Sequence, residues 1–375
     1  MRIGIEAQRI FRKNKHGMDY VVLQEILELQ QMDKQNEYCV FVKPGADRCL
    51  KESSNVHVVE LNTPSYPLWE QYALPRAAGK LNLDLLHCTS NTAPLYCKVP
   101  LVLTLHDIIF LEPRDKQNHS LYQNMGWLYR RLVVPRILGN CRRIITVSEF
   151  EKRNIISKLQ IPERRMAMIY NGYNDWFRPV TDDKDVYRKY IDHKGFLMFL
   201  GNTDPKKNTE RTLVAYAKYL RLSPVKRKLL LADLDRQYLK DIITRNGLDD
   251  VADMLVLPGY IENRDLPYLY SDAFAFLYTS LRESFGIPLL EAMACGTPVV
   301  TSNTSSMPEV GGEDAMLVNP ERPEEIAAKL LQLENDTAFY RQQCEYGLAR
   351  ARQFSWKKTA GQLLQLYHEV CSEIK

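Results

Sequence analysis

The chain has 375 residues, enough for two domains at roughly 150 residues each. Apolar residues make up 45% and charged residues 26%, a globular balance that excludes disordered, collagenous and coiled-coil chains. With 50 basic and 46 acidic residues the net charge is +4, too even for a protein whose main work is coating nucleic acid.

The first half carries a run of strand candidates: 2–7, 37–43, 56–61, 83–88, 100–106, 142–148 and 166–171. They are rich in Val, Ile and Leu with little polar alternation, the pattern of parallel strands buried on both faces. The first opens at Arg2, and its apolar run is too short for a secretory leader. No stretch approaches the ~18 apolar residues of a membrane-crossing helix. A cytoplasmic location is therefore expected. After the first strand, Arg12–Tyr20 opens a helix and contains Gly17 and Asp19. Strand 100–106 ends on His106-Asp107, where the histidine fits a satisfied structural residue as well as a ligand contact. Residues 127–165 hold 10 basic and 3 acidic residues, with Trp127 and Tyr129 among the arginines. That stretch reads either as a solvated face or as a peripheral contact for an anionic membrane surface. Ser148-Glu149 has the chemistry of a helix N-cap.

A polar segment, Asn171 to Asp185, separates this series from a second one: 196–201, 228–232, 253–257, 273–278, 297–301 and 315–318. Two β/α series predict two doubly wound, Rossmann-like α/β domains facing across a cleft. Their expected bounds are 1–178 and 179–354, and a final helix in 355–375 packs back on the first domain. Ligands of such sheets sit beyond the carboxyl ends of the strands. There, after strand 196–201, stands Gly201-Asn202-Thr203-Asp204-Pro205-Lys206-Lys207-Asn208. Two lysines at a strand–helix turn suit a diphosphate or simply a solvated turn. Asp233-Leu234-Asp235 reads as a helix cap before it reads as a cation site. The eight cysteines are scattered without a Cys-x-x-Cys and read as reduced core thiols. Dinucleotide, P-loop and nucleophile-elbow motifs are all missing.

The richest segment follows strand 273–278: Glu283-Ser284-Phe285-Gly286-Ile287-Pro288-Leu289-Leu290-Glu291, then Ala292-Met293-Ala294-Cys295-Gly296-Thr297-Pro298-Val299-Val300. A glycine turn entering a helix offers free amides to an anion. This contiguous run resembles the signature of retaining GT-B glycosyltransferases of family 4, and His106-Asp107-Ile108-Ile109-Phe110 with Pro205-Lys206-Lys207-Asn208 most resembles their mannosyltransferase-like members. The resemblance implies that Glu291 binds the donor ribose hydroxyls and that Glu283 sits beside the donor sugar. It implies that Ser284, Phe285, Gly286, Ile287, Pro288 and Leu289 form the loop lining sugar and diphosphate through their backbone, Pro288 having no N–H. Lys206 and Lys207 would grip the diphosphate, His106 would orient the donor sugar, and Gly17 would contact phosphate or acceptor. His106, Lys207 and Glu283 are thus the expected catalytic set. Asp19 stands where the family has a second glycine, and its charge would repel a diphosphate.

The function so implied is transfer of a hexose, with retention, from a nucleotide diphosphate sugar to a glycan or lipid-linked glycan. GDP-mannose is the first donor expected and a UDP-hexose the second. No metal and no cofactor are expected, because Lys206, Lys207 and helix amides supply the positive charge at the leaving group. Two other readings are a sugar phosphorylase of the same fold, which would need a pyridoxal-binding lysine, and a non-catalytic nucleotide-sugar-binding protein.

Overall fold

The computed structural model describes residues 1–112, 121–181 and 184–373. Two compact units emerge: Met1–Gly172 with Trp356–Lys375, and Tyr173–Ser355. The change of unit falls at Gly172/Tyr173, ahead of the expected 178/179. The reason lies in local contacts. Thr359 Oγ1 donates to Tyr170 O at 2.6 Å, holding the end of the first unit. Phe177 packs on Tyr270, with ring centroids 6.1 Å apart, and Val180 N donates to Ser271 Oγ, so 177–180 already belong to the second. Residues 182–183 of the expected boundary segment lie outside the described residues.

Unit 1 contains β1 (Arg2–Glu6), β2 (Glu37–Val42), β3 (Val56–Glu60), β4 (Leu85–Cys88), β5 (Leu101–Thr104), β6 (Cys141–Thr146) and β7 (Met166–Met168). They form one parallel sheet in the order β3-β2-β1-β4-β5-β6-β7. Unit 2 contains β8 (Leu197–Leu200), β9 (Leu229–Ala232), β10 (Leu255–Val256), β11 (Ala275–Tyr278), β12 (Val299–Ser302) and β13 (Met316–Val318). Its sheet is parallel too, in the order β10-β9-β8-β11-β12-β13. Each strand overlaps one of the expected runs.

The lack of polar alternation follows from cover on both sides. In β2, Val40 and Val42 join Ile26, Leu29, Leu363 and Tyr367 in one core, while Cys39 and Phe41 join Leu103, Val134 and Ile137 in the other. The C-terminal helix Trp356–Ser372 packs against the helix Gly17–Met32. It is pinned to the sheet by His87, whose Nδ1 lies 2.7 Å from Tyr367 Oη and whose Nε2 lies 2.7 Å from Thr104 Oγ1. In both sheets the chain order reverses beside the first strand, at β1/β4 and at β8/β11. Such reversals leave a crevice beyond the carboxyl ends of the two strands.

Candidate functional site

In unit 2 the loops after β8 and β11 flank that reversal, and hydrogen bonds clamp them together. Asn208 takes a left-handed conformation, φ 59°, and its Nδ2 donates to Thr279 O at 3.0 Å and Pro320 O at 2.7 Å. Leu281 N donates to Lys206 O at 2.7 Å. The clamp brings Lys207 Nζ to 2.6 Å from Glu283 Oε1, across 76 residues of chain. Both side chains are mostly buried, at 21% and 14% exposure, so the pair is less screened than a surface one. Lys207 Nζ also stands 5.6 Å from the centre of the Tyr278 ring. Lys206 differs from its neighbour, since its Nζ lies 3.2 Å from Asp204 Oδ2 in a more open setting.

The segment after β12 straps the Glu283 loop. Glu283 N donates to Ser305 Oγ at 3.1 Å, and Ser306 Oγ donates to the carbonyls of Glu283 and Phe285 at 3.0 and 3.1 Å. Gly286 has φ 104°, and a Cβ there would meet Met307 Cε at 2.6 Å, so both backbone and space demand glycine. The helix Ile287–Ala294 starts there, with Pro288 in its first turn and Ser284, Ile287 and Pro288 half-buried. Phe285 is buried against Phe354, ring centroids 5.9 Å apart, so its side chain serves the core. Leu289 N already donates to Gly286 O at 3.1 Å, which removes it from the amides expected to face a ligand. Glu291 keeps some surface exposure, yet desolvation by the atoms around it pushes its carboxyl up to about 8.

In unit 1, Glu6 at the end of β1 is buried and accepts from Gln8 N at 3.0 Å and Thr89 N at 3.2 Å, tying β1 to β4 at the reversal. His106 is buried beside them. Its N donates to Asn91 Oδ1 at 2.6 Å, and its Nε2 lies 3.0 Å from Thr89 O. A carbonyl only accepts, so Nε2 carries the proton and Nδ1 is the acceptor. Burial holds its pKa below the usual histidine range, which keeps the ring neutral. Gly17 is exposed at the start of its helix, with no atom within 4 Å of the Cβ position. Asp19 is 2% exposed and lies 3.1 Å from Arg9 Nε and 3.6 Å from Arg12 Nη1. The two guanidinium groups neutralise it, and the expected repulsion is cancelled locally.

The structure therefore gathers Lys206, Lys207, Glu283–Leu289 and Glu291 in unit 2, while in unit 1 His106 follows the end of β5 and Gly17 opens a helix. Three motif residues serve local structure. Asp107 Oδ1 accepts from Ile109 N, Ser148 Oγ caps through Glu151 N, and Asp235 caps through Tyr238 N. The basic stretch 127–165 does not present its charge as a whole. Arg143 pairs with Glu373, Arg165 donates to Leu138 O and Cys141 O, and Lys152 lies 3.2 Å from Glu163. Sequence reasoning assigned no role to Ser305, Ser306 and Glu6, and named Asn208 only as the end of the lysine segment. Only the hydroxyl-rich run Thr304-Ser305-Ser306 was a visible signal, as a run of donors beside a backbone turn.

Residues 17–176 match Glycosyltransferase Family 4, and residues 183–350 match Glycosyl transferases group 1. The O-antigen chain mannosyltransferase B of Escherichia coli is 31% identical over 273 residues, 71% of this chain and 69% of that protein. Among solved structures, sucrose-phosphate synthase from Thermosynechococcus elongatus superposes with a TM-score of 0.75 at 20% identity, covering 99% of both chains. Anabaena HepE in complex with UDP superposes with a TM-score of 0.73 at 20% identity, covering 98% of this chain and 100% of that one. With two doubly wound units, the contiguous glutamate–glycine–glutamate segment and these matches in hand, the chain belongs to family 4 of the GT-B glycosyltransferases.

Proposed function

We propose that the protein transfers mannose from GDP-mannose, with retention and without a metal, to a glycan or lipid-linked glycan. The observation that carries this reading is the clamped Lys207–Glu283 pair at the β8/β11 reversal, the place where ligands of doubly wound sheets bind. The mannosyltransferase at 31% identity supports the choice of sugar.

In this reading a diphosphate draws Lys207 away from, or shares it with, Glu283. The cation then meets the charge that develops on the leaving group, while Glu283 is freed toward the sugar hydroxyls. Lys206 adds a second, more mobile charge. The amides of Phe285, Gly286 and Ile287 line the diphosphate, in a loop held rigid by Ser305 and Ser306. Glu291 receives the ribose hydroxyls. The roles of His106 and Gly17 are those implied by the resemblance, with His106 offering Nδ1 as an acceptor to a sugar hydroxyl. Peripheral contact with a membrane belongs to the same reading, because a lipid-linked acceptor is held there.

Initial rates measured with GDP-mannose and with UDP-glucose test the donor, and the anomeric configuration of the product, read by NMR, tests retention. Turnover with UDP-glucose alone overturns the mannose assignment. Loss of activity in EDTA, restored by Mg²⁺, overturns the metal-free reading.

A further inference from the structure

Among the described residues, seven of the thirteen exposed large apolar side chains lie on three adjoining elements of unit 1. Leu68 and Tyr72 are 51% and 63% exposed, one helical turn apart. Leu95 and Tyr96 follow β4 at 41% and 76%. Met125, Leu128 and Leu132 stand at i, i+3 and i+7 on the helix Leu121–Ile137, the spacing of a single face. Hydrogen bonds join the three elements. Gln71 Nε2 donates to Tyr129 Oη at 2.8 Å and to Ala93 O at 3.2 Å, and Leu95 N donates to Gln71 Oε1 at 2.8 Å. Buried Glu70 accepts from Tyr129 and Thr92 and so locks the same junction.

Charge says what covers this face. Residues 66–80, 93–100 and 121–137 contain six cations (Arg76, Lys80, Lys98, Arg130, Arg131 and Arg136) and one acid, Glu70, which is fully buried. The surface is therefore apolar and cationic with no exposed carboxylate in these segments. Leu and Tyr side chains flanked by arginines match the boundary of an anionic bilayer, where apolar groups enter the acyl edge and cations meet phosphates. Arg131 stacks on Trp127 at 4.5 Å, a cation and an aromatic ring held together at that boundary.

We propose that this face, running from Leu68 and Tyr72 through Leu95-Tyr96 to Leu128 and Leu132, seats on an anionic lipid surface. It deepens the membrane contact proposed above and relocates it. Two of its three elements lie outside 127–165, and the contact is made by apolar side chains as much as by charge. The test reads binding and not transfer, so failure of the donor assignment and failure of this surface are separate results.

Flotation of the full chain with phosphatidylcholine vesicles, with and without phosphatidylglycerol, is the experiment. The protein floats with the anionic vesicles and is released by high salt. Arg131→Glu lowers the partition roughly fivefold or more, the effect of a cation near an anionic surface. Tyr96→Glu with Leu128→Glu lowers it further, while the thermal midpoint and transfer to a water-soluble acceptor stay as in the wild type. Arg131→Glu, at an exposed position, remains informative if the double variant fails to fold. Absence of binding to anionic vesicles, equal binding to neutral ones, or wild-type flotation of the variants overturns the proposal. So does a concentration-dependent dimer that the same substitutions abolish, because a second copy would then be the occupant.

Discussion

The two units share the order of their first six strands and put different chemistry at its reversal point. In unit 1 the buried acids Glu6, at the end of β1, and Glu70, on the helical segment Trp69–Ala73, are satisfied by neutral groups. Glu70 is fully buried and accepts from Tyr66, Thr92, Gln71 and Tyr129, and burial still raises its pKa. In unit 2 the reversal carries a lysine–glutamate pair with residual exposure, and Lys206 beside it. Neutral donors brace a fold but give an incoming anion nothing to exchange. An ion pair at a loop junction can be opened by a competing anion. The same topology thus separates bracing from ligand handling, and the difference lies in a few side chains at loop positions.

The sharpest way to break that comparison is Lys207→Ala. Turnover with nucleotide sugar should fall about 10²–10³-fold, the cost of removing one preorganised charge from a transition state. Unchanged initial rates would end the assignment. Glu70→Ala should do the reverse. It leaves several buried donors without an acceptor and should cost about 3 kcal/mol in urea unfolding, because each orphaned buried donor costs roughly 1–3 kcal/mol. A loss under ~0.5 kcal/mol would show that the network does not brace the unit.

Both units bury a carboxyl that makes stability depend on pH, Glu25 in unit 1 and Glu291 in unit 2. Burial raises Glu25 of unit 1 from 4.5 to about 8, between the helices Gly17–Met32 and Trp356–Ser372 and near Tyr367. The folded state keeps the proton that the unfolded state loses above pH 4.5. Stability therefore declines as pH rises from about 4.5 to about 8, by at most ~1.4 kcal/mol per pH unit. Glu25→Gln should lessen that decline in melts taken across the window, with Glu291 carrying the remainder. His87, held near 3 by burial, acts in the other direction, and its contribution is lost as pH falls below about 6.5.

The smallest effect is expected at Glu291. Hydroxyl donors favour its ionised form, so donor affinity should strengthen as pH rises toward 8. Calorimetric titration of GDP-mannose should show a few-fold tightening that Glu291→Gln removes. An equal slope in both proteins would take the ribose contact away from Glu291.

Much of this molecule is readable without coordinates. Strands such as Leu229–Ala232 and Val299–Ser302 announce themselves because a strand covered on both faces must be apolar throughout. The loop Glu283–Glu291 is legible because its constraints are local. Gly286 must be glycine at φ 104°, and Pro288 is accepted only in a first helical turn. By itself the sequence determined the α/β class, the two series of strands and the motif that marks the family. Only the tertiary structure decided that Lys207 meets Glu283 across 76 residues, that Asn208 clamps two strand ends and that Glu70 reaches Tyr129 across 59. It also decided which arginines of 127–165 are spent on internal partners and which apolar side chains share a face with the rest. The physical reason is range. Propensity and apolar periodicity act within a few residues, whereas a buried polar group takes whatever partner the packed sheet brings to hydrogen-bond distance.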